Sequence, residues 1–121
     1  LNRDIEAYKT TITKSDTLPM IFPDGSYMPT RAAVEEFHTN WFEDKNWRMT
    51  FEEVTRIVGK DMASVLVRTA YQDTPEGAPR FAYLNLLFQL QDGEWRLIHD
   101  QNTRINLPVA VAPQAPAKTK N

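Results

Sequence analysis

From Trp47 to Arg104 the chain alternates apolar and polar residues, and three short turn segments cut this run into four long pieces. The turns are Gly59-Lys60-Asp61, the loop from Asp73 to Pro79, and Gln91-Asp92-Gly93-Glu94, whose Asp-Gly pair is a strong hairpin signal. The pattern predicts strands over about Trp47 to Val58, Met62 to Gln72, Phe81 to Gln91 and Trp95 to Arg104. Each is ten or more residues long, above the usual ~5–6. Consecutive hairpins of that length make a strongly curved antiparallel meander, and this restricts what the rest of the chain can do: it must cover the meander.

Upstream of Trp47 the period is helical. Leu1, Ile5, Tyr8 and Ile12 recur at steps of four, three and four, which predicts a helix from about Leu1 to Thr13 with Arg3, Glu6 and Lys9 outside. Ser15-Asp16-Thr17 and Pro19 end it. Met20-Ile21-Phe22 is a short apolar segment before the turn Pro23-Asp24-Gly25-Ser26, and Tyr27-Met28 reads as a brief strand. Thr30 is placed to cap a second helix, Arg31 to Asp44, with Val34, Phe37 and Trp41 on one face. Helices first and a sheet afterwards is the α+β order, with helices packed across one sheet face. Residues 1–107 are expected to form the domain; the Pro/Ala-rich stretch 108–121 is expected to be an extended arm.

A chain of 121 residues supports one hydrophobic core. Lysine and arginine number 14 against 16 acidic residues, with no block of like charge, so nucleic acid is not an expected partner. The absence of cysteine removes thiolate catalysis, disulfides and cysteine metal sites. No apolar run approaches the ~20 residues of a membrane span, and membrane is not an expected partner. The expected compartment is the cytoplasm, although a chain that opens without Met is compatible with an upstream targeting segment. Two histidines and scattered carboxylates lack metal-ligand spacing, and neither a Gly-rich phosphate loop nor a nucleotide fingerprint occurs. No metal and no cofactor are expected.

Three segments in order, Ala7-Tyr8 through Ser15-Asp16, Arg31 through Phe37, and Asp92-Gly93-Glu94-Trp95 through Asp100, resemble the nuclear transport factor 2-like (SnoaL-like) superfamily. The resemblance implies a cone-shaped cystatin-like roll: a curved antiparallel sheet wrapped around N-terminal helices, an apolar pocket between them, and commonly a homodimer joined through the outer sheet face. Asp16 to Phe22 is shorter than the family's second helix, which leaves either a remodelled pocket front or residues absent from the chain.

Parity places Trp95, Leu97, His99 and Gln101 on one face of the last strand and Arg96, Ile98, Asp100 and Asn102 on the other, and does not say which points inward. Similarity to ketosteroid isomerases directs Ile98, Asp100 and Asn102 inward, beside Leu84, Leu86 and Phe88. His99 and Gln101 then face a partner subunit. Asp100 resembles the aspartate that ends this strand in SnoaL-like cyclases and is the expected acid/base, because desolvation would raise its pKa; the alternative is a structural carboxylate paired with Arg96, Arg104 or a backbone donor. Tyr8 matches the isomerase oxyanion donor by its spacing to Asp16, or is simply core. His38 is a candidate donor or base at the pocket mouth, or an ordinary helix-flank histidine. Asn102 is expected to be an orienting hydrogen-bond donor to the ligand, and Trp41 joins the ligand-binding set. A His99–Asp100 dyad is disfavoured, since neighbouring strand residues point apart. The isomerase pattern is incomplete: its general base has no counterpart near Met28-Pro29, and its second acid aligns with Leu86. Two readings stay open, an enzyme moving protons on a small apolar molecule (cyclase, isomerase, dehydratase or hydrolase), or a non-catalytic ligand-binding or oligomerisation module.

Overall fold

The computed structural model describes residues 3–106; the expected arm and Leu1 lie outside the described residues. The elements are α1 (Ile5–Lys9), β1 (Thr17–Ile21), β2 (Tyr27–Thr30), α2 (Arg31–Glu43), β3 (Arg48–Val58), β4 (Met62–Gln72), β5 (Arg80–Gln91) and β6 (Glu94–Arg104). All six strands form one curved sheet in the order β2-β1-β6-β5-β4-β3, an α+β cone with the helices against its concave side.

Helix α1 is much shorter than its apolar stripe predicts. Asp4 caps it, accepting from the Ala7 amide at 3.1 Å. It ends where the Thr10 and Thr11 hydroxyls donate back to the carbonyls of Ala7 and Tyr8 at 2.6 and 2.7 Å. Beyond that point the backbone is claimed by the sheet: Leu97 donates to Thr11 at 2.8 Å and Thr13 to Leu97 at 2.9 Å. Ile12 is therefore buried by a parallel bridge to Leu97 rather than by a helix face. Helix α2 follows its pattern, with the Thr30 hydroxyl accepting from the Ala33 amide at 3.2 Å.

The four long strands pair as consecutive antiparallel hairpins. The sheet is mixed rather than wholly antiparallel, because β1 runs parallel to β6, with Met20 opposite Asp100 and Ile21 opposite Gln101. Helix α2 and the whole meander separate these two strands in sequence, so no tight turn dictates their relative direction. The segment expected to differ from the family's second helix is this strand β1.

Two bulges bend the sheet. In β3 the register shifts between Glu53 and Thr55. In β6 the pairs Leu87 with His99 and Phe88 with Leu97 leave Ile98 as the extra residue. An extra residue inverts side-chain alternation beyond it, so Leu97 shares a face with Asp100 and Asn102 while Ile98 does not. Leu97 joins Ile12, Leu18, Met20 and Val34 in the buried core, each such side chain stabilising the fold by about 1.5–3 kcal/mol. A second packing centre lies at the N-terminus of the meander, where fully buried Trp47 stacks on Trp41 at 4.2 Å, donates its indole N–H to the Trp41 carbonyl at 3.0 Å, and is covered by Arg3.

Candidate functional site

Between the helices and the sheet lies a cavity of about 730 Å³, within the size range of small-molecule sites. Its helix wall is Tyr8, Phe37, His38, Trp41 and Phe42; its sheet wall includes Leu84, Leu86, Phe88, Leu97, Asp100 and Asn102. Phe51, Tyr71 and Phe81 from β3, β4 and β5 complete a strongly aromatic lining, and Met20, Phe22, Pro23 and Asp24 contribute from the β1–β2 hairpin. Of the residues singled out from the sequence, Ile98 is the exception: the β6 bulge turns it away and Leu97 takes its place.

Asp100 is the ionisable group buried in this wall, 8% exposed. Burial pushes its carboxyl up to about 7, against a smaller opposing effect of the Asn102 hydrogen bond. The Asn102 amide donates to Asp100 Oδ1 at 3.2 Å and to the Ile21 carbonyl at 2.9 Å. Both amide protons are thereby engaged, and Asn102 holds the carboxyl to β1 rather than offering a donor to the cavity. Asp100 makes no ion pair among the described residues. Arg96, one arginine that parity set beside it, instead donates to the carbonyls of Thr10 at 2.7 Å and Ile12 at 3.3 Å and pairs with Glu94 at 2.8 Å.

Tyr8 stacks on His38 with ring centroids 4.1 Å apart and meets Phe42 edge-on. Its hydroxyl is buried with no hydrogen-bond partner among the described residues, at a cost of about 1–3 kcal/mol. Burial first, then the charges of Asp100 and Glu35, hold the phenol well above its usual range. The coupling to Asp100 acts one way, since Tyr8 is neutral throughout the range in which Asp100 titrates. A phenol that stays protonated in this way has a proton to donate and does not act as a base.

His38 is buried, and its Nδ1 lies 2.8 Å from the Val34 carbonyl. A carbonyl only accepts, so Nδ1 carries the proton and Nε2 is left as an acceptor. Burial lowers the pKa of the ring, the Val34 bond opposing it; neutral imidazole is the form present at neutral pH. His99 contacts Gln101 at 3.2 Å and lies outside the cavity lining, so no dyad with Asp100 forms. Among the described residues no group of three or more histidines or carboxylates is placed to hold a metal ion, and no helix is long and apolar enough to cross a membrane.

Sequence reasoning passed over Leu97, Phe42, Tyr71, Phe81 and Arg104 as lining residues. For Arg104 the signal existed, as it sits two residues beyond Asn102 on the inward parity. For Leu97 none did, because a bulge leaves no mark on alternation until the register is known.

A six-stranded cone closed by helices over an aromatic cavity is the nuclear transport factor 2-like class of fold. A SnoaL-like domain profile matches residues 1–102, and the chain belongs to that family. No match was found among curated proteins. Solved structures with this fold include a provisionally assigned calcium/calmodulin-dependent protein kinase type II association domain from Thiobacillus denitrificans (TM-score 0.74, 19% identity, 86% of this chain and 84% of that one). A provisionally assigned dehydratase of the NTF2-like family from Streptomyces avermitilis has a TM-score of 0.71 at 13% identity, covering 87% and 85%. An NTF2-like protein of unknown function from Shewanella oneidensis has a TM-score of 0.68 at 16% identity, covering 84% of each chain. At these identities the likeness is one of fold.

Proposed function

We propose that the cavity binds a small, largely apolar molecule and that Asp100 exchanges a proton with it, without a cofactor. The observation that carries this is a buried carboxyl, poised near neutrality by an apolar wall, in the same cavity as an unpartnered phenolic donor. A carbonyl oxygen of the substrate accepts from Tyr8, which stabilises negative charge developing there. Asp100 in its carboxylate form takes a proton from the carbon beside that carbonyl; in its acid form it returns the proton elsewhere. His38 Nε2 accepts from a substrate hydroxyl. Isomerisation, cyclisation and dehydration all use this pair of steps. The test is exchange of substrate α-protons with deuterated solvent, followed by NMR over a set of hydrophobic ketones. Exchange that is lost in Asp100→Asn supports the reading, and undiminished exchange in that variant rejects it.

A second reading, a binding and assembly module, is favoured by apolar exposure along the end of β3, where Val54, Ile57 and Val58 are each half exposed or more, and by the fold shared with the association domain above. Under both readings we propose a homodimer through the outer sheet face that carries His99 and Gln101. Leu97 does not contribute to that face as alternation alone implies, since it is buried in the core, whereas Trp95 is exposed. A monomer mass by light scattering at micromolar concentration would remove the dimer.

A further inference from the structure

Asp100, Asn102 and Arg104 follow one another at alternate positions beyond the β6 bulge, and all three line the cavity. Asp100 is buried, whereas Arg104 is half-buried near the open end, opposite Ala82 on β5. Its surroundings distinguish it from the other arginines of the sheet. Arg80, also at the mouth, is held by both oxygens of Asp73 at 2.8 and 3.1 Å. Arg68 lies over the Phe81 ring at 4.6 Å. Arg56 pairs with Glu53 at 2.7 Å. Arg104 makes no ion pair, side-chain hydrogen bond or ring contact with any described residue.

We propose that Arg104 forms an anion-reading subsite, so that the ligand of the cavity is an amphipathic acid: a carboxylate at Arg104, an apolar or aromatic body along the lining, and an uncharged oxygen at Tyr8 and Asp100. This rests on the cavity reading above and adds the ligand's second polar end. A guanidinium presents a planar edge of N–H donors that fits a carboxylate in bidentate fashion. Four residues of strand at about 3.3 Å each put the two polar ends about 13 Å apart. The other charges at the mouth are Asp24, Asp73 and Arg80. Asp73 is neutralised by Arg80, and Asp24 spends Oδ1 on the amide and hydroxyl of Ser26 at 2.9 and 2.7 Å. Asp24 feels Arg104 only as a weak long-range attraction. Net charge at the mouth is therefore close to balanced, and selectivity for an anion comes from the unshared donor edge of Arg104.

The experiment is calorimetric titration of the full chain with a hydroxyphenyl-hexanoic acid, its methyl ester, the corresponding amine and the parent phenylhexane. The acid is expected to bind about tenfold tighter than the ester. Arg104→Gln should remove the preference, so that acid and ester bind the variant equally, with a cooperative thermal melt showing that the variant is folded. Arg104→Lys should retain part of the preference, since it keeps the charge and loses the fork. Equal binding of acid and ester, an acid preference that survives Arg104→Gln, or tighter binding of the amine overturns the subsite while leaving the cavity reading in place. Failure of all four compounds to bind overturns both.

Discussion

Replacing Asp100 by asparagine should make the protein more stable at pH 8 and not at pH 4. In the unfolded chain the carboxyl ionises at its ordinary 3.8, and in the folded chain at about 7. Below the lower value it is neutral in both states, and its ionisation takes nothing from stability. Between the two the unfolded state ionises while the folded state does not, so stability falls as pH rises, and the loss is complete above about 7. A rise from 3.8 to about 7, at about 1.4 kcal/mol per pH unit, makes the full loss about 4 kcal/mol. Asparagine keeps the shape and the acceptor for Asn102 but adds an amide that needs its own partners, a cost of about 1–3 kcal/mol independent of pH. The difference between the two pH values removes that constant. The assay is a pair of urea or thermal melts for parent and variant at each pH. For a domain of this size the pH-dependent part corresponds to roughly 12–20 °C in relative Tm. A variant whose stability change is the same at pH 4 and pH 8 would refute the desolvation argument.

Tyr8→Phe removes the unpartnered buried hydroxyl and should stabilise the ligand-free protein by about 1 kcal/mol at pH 7, measured by denaturant melts, while weakening binding of carbonyl ligands. Asn102→Leu removes the one hydrogen bond that opposes burial at Asp100, so the carboxyl should titrate above its parent value in an NMR pH series. Leu97→Ala should cost about 2–5 kcal/mol as a core truncation. Ile98→Ala, at the half-buried bulge position outside the cavity, should cost less; the reverse order in chemical denaturation would contradict the register of β6.

The meander was legible because alternation over long segments survives any detail of packing, and its turns carry their own chemistry, as Asp92 with φ 51° and Gly93 with φ 82° illustrate. Helix α2 was legible from Thr30 and its stripe. Three features were not. Helix α1 stops early because Thr11 to Thr13 pair with Leu97, a contact between chain ends that local periodicity does not contain. Strand β1 lies parallel to β6 for the same non-local reason. The bulge at Ile98 decides which half of β6 faces the cavity, and it exchanged Ile98 for Leu97 while Asp100 and Asn102 kept the same parity as each other. Asn102 had an inward position but not the role of a ligand donor, since its amide is satisfied by Ile21 and Asp100.

Proton exchange by the cavity wall near neutral pH requires that Asp100 itself titrate there. Carbon-detected NMR of the Asp100 side-chain carboxyl across pH, with Asp100→Asn for assignment, reads that titration at the group itself. A midpoint of about 7 is expected; a midpoint at the ordinary aspartate value of 3.8 would remove Asp100 as the acid/base.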